Sequence, residues 1–446
     1  MRVLVVGGGG REHALAWALK RDTPEATLFA APGNPGTAQL GTNLEIPATA
    51  TDELVVAARE HKIDLVVVGP EAPLAAGLAD RLRAPPAGRP VFGPGAAAAR
   101  IESSKAFAKE VMRSAGVPTA ASRTFTALAP ALAYIKTHAA PLVVKASGLA
   151  AGKGAVVCDT RDAAARAARA MLADGTFGEA GREVVIEDYL EGEELSVLAL
   201  TDGERTLILP AAQDHKRLGE GDTGPNTGGM GAYCPVSIAG DALLERVRRE
   251  VLEPTLRELA ARGACYTGVL YAGLMLAADG TPYVLEFNCR FGDPETQALL
   301  PLLPGVTRHL AGIAAGSWHP SERALAPARA AVATVLAAPG YPDKPELGAA
   351  IVVPRDVEAG TLLFHAGTYR DPPPDGTLRV HGGRVLTVTG LGDTVADAAQ
   401  KSADACELIA FQGKTYRRDI GWREIARSSR EGEGGEGGKH AGAARG

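Results

Sequence analysis

The chain opens by alternating short apolar runs with stretches of helical periodicity. Residues 3–6, 28–31 and 64–68 are brief apolar or β-branched segments, and 12–20 and 52–61 lie between them with helix-like spacing. This βαβα alternation predicts a parallel, doubly wound sheet over residues 1–102. Each strand runs into a loop containing Gly or Pro: 7–10, Pro32-Gly33-Asn34 and Gly69-Pro70-Glu71. In open α/β sheets ligands bind beyond those carboxyl ends, so a first binding region is expected there.

From residue 103 the pattern changes. An amphipathic helix over 105–115 precedes a strand at 142–145, a helix near 162–172, a strand at 183–187 and longer, antiparallel-looking strands. That reads as an α+β domain of two lobes over 103–324, with a mobile lobe at about 122–190. Segment 219–231 carries six glycines in thirteen residues, which predicts a long mobile loop. Beyond 325, short strands (331–336, 361–365, 384–389) and an alanine-rich helix (394–408) predict a small β-rich domain over 325–427 with no evident chemistry. Residues 428–446 hold seven glycines and no large apolar side chain, so a disordered tail is expected.

A length of 446 residues suggests roughly three domains at about 150 residues each, large enough to bury a core without disulfides. The 47 basic and 52 acidic residues leave a net charge of -5, no footprint for a nucleic-acid backbone. Five scattered cysteines form no C-x-x-C pair, which excludes a zinc clip and fits a reducing cytoplasm. No apolar run approaches 18 residues, and the apolar start is too short for a secretory signal, so neither export nor membrane insertion is expected.

The glycine turn 7–10 with Arg11, Glu12 and His13 sits between a strand and a helix, where backbone N–H groups favour a phosphate. It fails the dinucleotide fingerprint. The third glycine position falls on Glu12 or His13, and the second strand ends Ala30-Ala31-Pro32 with no acidic residue for a ribose. Arg11 and Glu12 instead suit a phosphosugar, with a solvated helix start as the alternative. Residues 148–154 look like a Walker loop, but only three residues separate Gly148 from Gly152, and no Ser or Thr follows Lys153. The loop nevertheless follows an apolar strand that ends on Lys145, and two lysines with a glycine turn could cover a triphosphate.

The strongest local signal is 283–295. At a strand period of two, Glu286, Asn288 and Arg290 share one face while Leu285 and Phe287 share the other. A carboxylate and an amide suit Mg²⁺ completed by water and phosphate oxygens, and a guanidinium suits charge on a transferring phosphoryl group. Gln213-Asp214-His215-Lys216-Arg217 packs both charge signs, which alone reads equally well as a solvated face. Glu187, Glu191, Glu193 and Glu194 are spaced as a hinge for adenine and ribose would be, or again as a solvated run.

Taken in order, Gly9-Gly10-Arg11-Glu12-His13-Ala14, Pro32-Gly33-Asn34, Gly69-Pro70-Glu71, Lys145 with 148–154, Asp214-His215-Lys216-Arg217, 223–232 and 286–295 closely resemble the phosphoribosylamine–glycine ligase family of the ATP-grasp superfamily, from residue 1 to about 425. The resemblance implies a two-lobed ATP-grasp fold at the centre of an α/β and α+β multidomain chain. It implies an enzyme that joins glycine to 5-phosphoribosylamine through glycyl phosphate, giving glycinamide ribonucleotide, ADP and phosphate in purine biosynthesis. Partners would be small molecules only, with no nucleic acid or membrane, and the protein a cytoplasmic monomer or weak homodimer.

Site residues carry over on the matching positions. The resemblance assigns Lys105 and Lys145 to the phosphates of ATP, Gly148, Gly152, Lys153 and Gly154 to the loop covering them, and Glu187, Tyr189, Leu190 and Glu194 to adenine and ribose. Glu286 and Asn288 would ligate Mg²⁺ or Mn²⁺. Gly10, Arg11, Glu12, Gly33, Asn34, Asp214, Arg290, Gly292, Asp293 and Pro294 would hold phosphoribosylamine and activated glycine, with catalysis carried by Arg290, Asp214 and Lys145 and with 219–231 as a water-excluding lid. One departure is that the strand at 269–276 has no carboxylate, which leaves the number of protein metal ligands open. A dehydrogenase and a non-catalytic ATP-binding regulator are the rival classes; the missing glycine speaks against the first, and the Lys145, Glu286, Asn288 and Arg290 set against the second.

Overall fold

A computed structural model describes residues 1–150, 154–358 and 360–436. Its first sheet comprises β1 (Arg2–Gly7), β2 (Thr27–Pro32), β3 (Thr42–Asn43), β4 (Leu65–Val68) and β5 (Val91–Phe92), all parallel in the order β3-β2-β1-β4-β5. Leu4 and Val6 of β1 enter one core while Val3 and Val5 enter another, which is why its apolar run is continuous rather than alternating.

The smaller central lobe is an antiparallel sheet of β6 (Ser122–Phe125), β7 (Leu142–Ala146), β8 (Ala155–Cys158) and β9 (Val184–Asp188), ordered β6-β9-β7-β8. Phe125, Leu142, Val144 and Ile186 form its own core beneath the helices Leu128–Thr137 and Arg161–Leu172. β10 (Glu193–Thr201) and β11 (Thr206–Ile208) begin the larger lobe. There follow β12 (Gln213–Asp214), β13 (Arg217–Gly219), β14 (Thr223–Asn226) and β15 (Gly231–Cys234), then β16 (Gly268–Leu276) and β17 (Pro282–Asn288). The larger sheet runs β11-β10-β16-β17.

Three expectations change here. Segment 219–231 is not an open loop: β13 and β14 pair as an antiparallel hairpin. The C-terminal region is the small β-rich domain expected, but it does not build its main sheet alone. β18 (Ala330–Ala337), β19 (Thr361–His365) and β22 (Arg384–Gly392) extend β12 and β15 in the order β12-β15-β18-β22-β19, with β20 (Thr368–Arg370) and β21 (Leu378–Val380) as a separate ribbon. Finally, the helix Trp422–Glu436 runs through the first part of the expected disordered tail, whose remainder, 437–446, lies outside the described residues.

The two large cores each join all three regions: Leu4 with Phe287 and Val332, and Val5 with Tyr271 and Ala333. The first sheet, the larger lobe and the shared C-terminal sheet therefore make one packed body, and the smaller lobe stands on it with a separate core. Among the described residues no helix is long and apolar enough to cross a membrane.

Candidate functional site

The first site element is the turn from β1 into the helix Gly10–Asp22. Gly7 adopts a φ of +122°, a conformation favouring glycine. The Glu12 carboxylate accepts the Gly9 N–H at 2.6 Å, satisfying a donor that a helix start leaves unpaired. Gly69 lies against the same carboxylate; a Cβ there would stand 2.0 Å from Glu12 Oε1. Arg11 pairs with Glu12 at 2.6 Å and donates through Nη1 to the Phe291 carbonyl at 3.1 Å. The turn thus reaches the end of β17 directly.

Asn34 works differently from the expectation. Its Oδ1 accepts the N–H groups of Gly36 and Thr37, and its Nδ2 donates to the carbonyls of Gly8 and His365. With the amide so engaged, the side chain welds the turn to β19 rather than facing a ligand. His13 does the same from the helix, accepting the His365 N–H at 2.9 Å on Nδ1. Burial, reinforced by the neighbouring imidazole, pushes His13 down to about 3 and, with Arg370, His365 down to about 4, so both rings are neutral.

The second element is a group of cations in the cleft between the lobes. Lys145, at the end of β7, contacts Glu187 on β9, and Lys109 reaches the other oxygen of that carboxylate at 2.5 Å. Burial raises Glu187, but Lys145 and Lys109 outweigh it and leave the carboxyl below its usual range. Only 2% exposed, Glu187 is an internal counter-ion, which corrects the assignment of its side chain to ribose. Lys145 also donates to the Leu285 carbonyl at 3.0 Å, and Lys105 Nζ reaches the Gly148 carbonyl at 3.4 Å.

Leu285 is available because β17 bulges there: Gly273 pairs with Glu286 but Leu274 with Val284. The bulge corrects the simple two-residue alternation, placing Val284, Phe287 and Cys289 in the core and leaving Leu285 half-buried. Glu286 and Asn288 still share a face. Burial raises Glu286, yet Lys216, Lys145, Lys105 and Arg290 together hold it ionised, below the usual range. Arg290 lies just past the strand, with Nη2 2.9 Å from Glu102 and Nε 3.4 Å from Glu71. It is committed to a joint between the first domain and β17 rather than standing as a free charge.

The third element is β12 and its surroundings. Burial first, then Glu295, Glu194 and Glu286, push Asp214 up to about 7 against the opposing pull of Lys216. Lys216 pairs with Glu194 at the start of β10. Behind them, Tyr271 on β16 donates to Glu295 at 2.6 Å, with Ser196 on β10 2.8 Å from the same hydroxyl. Gly292 gives Glu295 its space, since a Cβ would stand 2.3 Å from Oε2.

The expected substrate residues Gly10, Arg11, Glu12, Gly33, Gly292, Asp293 and Pro294 gather at one place: a Cβ on Gly9 would lie 3.7 Å from Asp293 Oδ2, and one on Gly8 2.6 Å from the Gly33 carbonyl. Tyr189 and Leu190 occupy the link between β9 and β10, Tyr189 being exposed. Gly148 packs on Ala180, and the Gly154 carbonyl accepts Ala146 N–H at 2.7 Å. Gly152 and Lys153 lie outside the described residues. Sequence reasoning missed Lys109, although its spacing of four from Lys105 puts both on one helix face. It also missed Lys216, Glu295 and Arg384. Arg384 lies 3.1 Å from Asp293, so the C-terminal region, expected to carry no chemistry, in fact borders the site.

Family models match three stretches of the chain: phosphoribosylglycinamide synthetase N domain over 1–102, ATP-grasp (A) domain over 103–296 and C domain over 331–423. A phosphoribosylamine–glycine ligase of Vibrio cholerae is 47% identical over 431 residues, 96% of this chain and 99% of that one. Its counterpart from Ralstonia nicotianae is 48% identical over 433 residues, covering 96% and 100%. The crystal structure of the Thermotoga maritima phosphoribosylamine–glycine ligase superposes with a TM-score of 0.81 at 36% identity, covering 94% of this chain and 100% of that one. A biotin carboxylase domain from Hydrogenobacter thermophilus shares the fold, with a TM-score of 0.69 at 18% identity.

Proposed function

The chain belongs to the phosphoribosylglycinamide synthetase family, and from that premise we propose how its own residues perform the reaction. It is a phosphoribosylamine–glycine ligase, an ATP-grasp enzyme that joins glycine to 5-phosphoribosylamine in purine biosynthesis. In our reading, a carboxylate oxygen of glycine attacks the γ-phosphorus of ATP, breaking its bond to the β-bridging oxygen and releasing ADP. The amine of phosphoribosylamine then attacks the carbonyl of glycyl phosphate, the C–O bond to phosphate breaks, and the amine proton leaves with phosphate or to solvent.

Phosphoryl transfer asks chiefly for positioning and charge neutralisation, and that is what these side chains offer. Lys145 and Lys105 would meet the ATP phosphates, and Tyr189 and Leu190 at the lobe junction would border the adenine. Gly148, Gly152, Lys153 and Gly154 would form the covering turn. Asp214 and Lys216, opposite charges side by side, match the ammonium and carboxylate of glycine. The turn with Gly10, Arg11 and Gly33 would take the phosphate of phosphoribosylamine and Glu12 a hydroxyl or the amine, with Gly292, Asp293 and Pro294 closing the opposite wall. Arg290, already paired with Glu71 and Glu102, would hold the first domain against the end of β17 beside that turn.

The donor set fits a divalent cation bound through few protein ligands. Glu286 is kept ionised, Asn288 lies two residues on along the same face, and among the described residues there is no group of three His, Cys, Asp or Glu that could hold a metal. Mg²⁺ or Mn²⁺ held there would neutralise charge on the terminal phosphates. Because 219–231 is an anchored hairpin rather than a loose lid, water would be excluded by approach of the smaller lobe. A cleft of about 320 Å³ separates Val156 and Val157 of β8 from Pro225 and Asn226 of the hairpin. We place the enzyme in the cytoplasm, in keeping with five free cysteines, as a monomer or weak homodimer.

The observation that carries this reading is the joint itself: Arg11 ties the phosphate-type turn of the first sheet to Phe291, just past the strand bearing Glu286, and Arg290 in the same stretch pairs with Glu71 and Glu102. Phosphate release from Mg·ATP should require glycine and phosphoribosylamine together. Release with neither, or with a different acid alone, would reject it.

A further inference from the structure

The reaction leaves one set of buried charges unused. Arg417, downstream of the last strand, has a side chain 0% exposed. Its guanidinium donates to Asp222 at 2.8 Å and to the Arg217 carbonyl at 3.1 Å, both in the β13–β14 hairpin, and to Asp419 at 2.7 Å. Asp419 accepts the Gly221 N–H at 2.9 Å, and Arg423 adds a second cation to Asp222. The hydrogen bonds of this arginine outside its own segment therefore go to the hairpin that follows Asp214 and Lys216.

Four residues beyond Arg423, the same segment grips the start of β10. Arg427 reaches Glu193 at 2.7 Å, and Glu193 also accepts from Gln213 Nε2 at 2.8 Å. Glu193 adjoins Glu194, the partner of Lys216, while Gln213 adjoins Asp214. Between the two grips, the Gly421 N–H faces His215 Nε2 at 3.4 Å.

Buried ion pairs are weak evidence for stability, because desolvation offsets much of the attraction; their best-attested use is to fix one arrangement among several. Here the arrangement fixed is that of β12 and the hairpin against the start of β10. We propose that segment 417–427 is a strap that, through Glu193 and the hairpin next to Lys216, positions Glu194 for the nucleotide, with Arg417 and Arg427 as positioning residues. The proposal rests on the ligase reading for what binds in the cleft, but its test reads nucleotide binding alone.

Arg423→Gln and Arg427→Gln are the informative variants, because those side chains are 31% and 23% exposed and their loss leaves no cavity in a core. Binding of Mg·ADP would be measured by calorimetry, and amide hydrogen exchange followed over 214–226. The strap predicts affinity weakened on the order of tenfold in the double variant, equivalent to roughly 1.4 kcal/mol. It also predicts faster exchange in 214–226, KM for ATP rising more than kcat falls, and recovery in Arg427→Lys. Unchanged ADP affinity would overturn it, whether or not exchange or melting shifts. Should Arg417→Met fail to fold, the two milder variants decide. Failure of the ligase reading would appear separately, as wild-type phosphate release that does not need both co-substrates.

Discussion

Arg11 and Phe291, 280 residues apart in sequence, are joined by a hydrogen bond of 3.1 Å from the guanidinium Nη1 to the backbone carbonyl. Through it, the turn we propose for a phosphate is tied to the stretch that follows the strand bearing Glu286. Replacing Arg11 by Met should therefore affect one substrate selectively. A charge-assisted hydrogen bond contributes about 1.5–3 kcal/mol, so KM for phosphoribosylamine should rise roughly 10- to 150-fold while KM for ATP stays within about threefold. Initial-rate kinetics with each substrate varied in turn checks this; an equal rise in both constants would contradict it.

Glu286 stands under the charges of Lys216, Lys145, Lys105 and Arg290. Glu286→Ala should reduce turnover by at least about 100-fold, the scale of removing one preorganised electrostatic group, and leave the far-ultraviolet circular dichroism unchanged. Turnover near the wild-type rate would remove the proposed metal position.

Lys109 shares Glu187 with Lys145. Lys109→Met would leave Lys145 as the sole counter-ion, drawn more strongly towards the carboxylate and away from a phosphate. We expect KM for ATP to rise about 5- to 20-fold, with stability lower by roughly 1–3 kcal/mol from the weakened buried pair. ATP titrations and urea unfolding measure the two effects separately, and partial recovery in Lys109→Arg would show that the charge is what matters.

The buried imidazoles predict an acid limit. His13 and His215 are held down to about 3 and His365 to about 4, chiefly by burial, whereas in the unfolded chain they titrate near 6.5. Below pH 6.5 the unfolded state binds protons that the folded state refuses, so stability is full above that value and is lost as pH falls towards 4. Thermal midpoints should drop between pH 7 and pH 5, the three histidines outweighing the opposite contribution of Asp214, whose raised carboxyl takes up its proton in the same window. His13→Gln should drop less over the same interval; an identical slope would contradict the assignment.

Much of the fold was legible because its signals are local. Strand–helix alternation in the first hundred residues, the fully apolar β1 and the amphipathic helix Lys105–Ala115 each follow from spacing alone. The candidate residues at the turn and on β17 were chosen in the same way, from type and order. What was not legible involves partners distant in the chain. The hairpin within 219–231 reads as loop because its glycines carry no apolar pattern; its anchors, Arg417 and Arg423, come about 200 residues later. The bulge at Leu285 was hidden because register depends on the neighbouring strand, not on the residues of β17 alone.

The sequence by itself determined which groups this protein possesses: the phosphate-type turn, the lysines, the carboxylate and amide on one pleated strand, and the family they identify. Tertiary structure alone decided which of those groups remain available. It gave Glu187 to two lysines, Asn34 to five backbone groups, Arg290 to two carboxylates and the hairpin to the C-terminal segment. The reason is physical: a polar side chain's type is written in one position, but in a buried setting its free valence depends on whichever donors and acceptors the fold brings within about 3 Å of it.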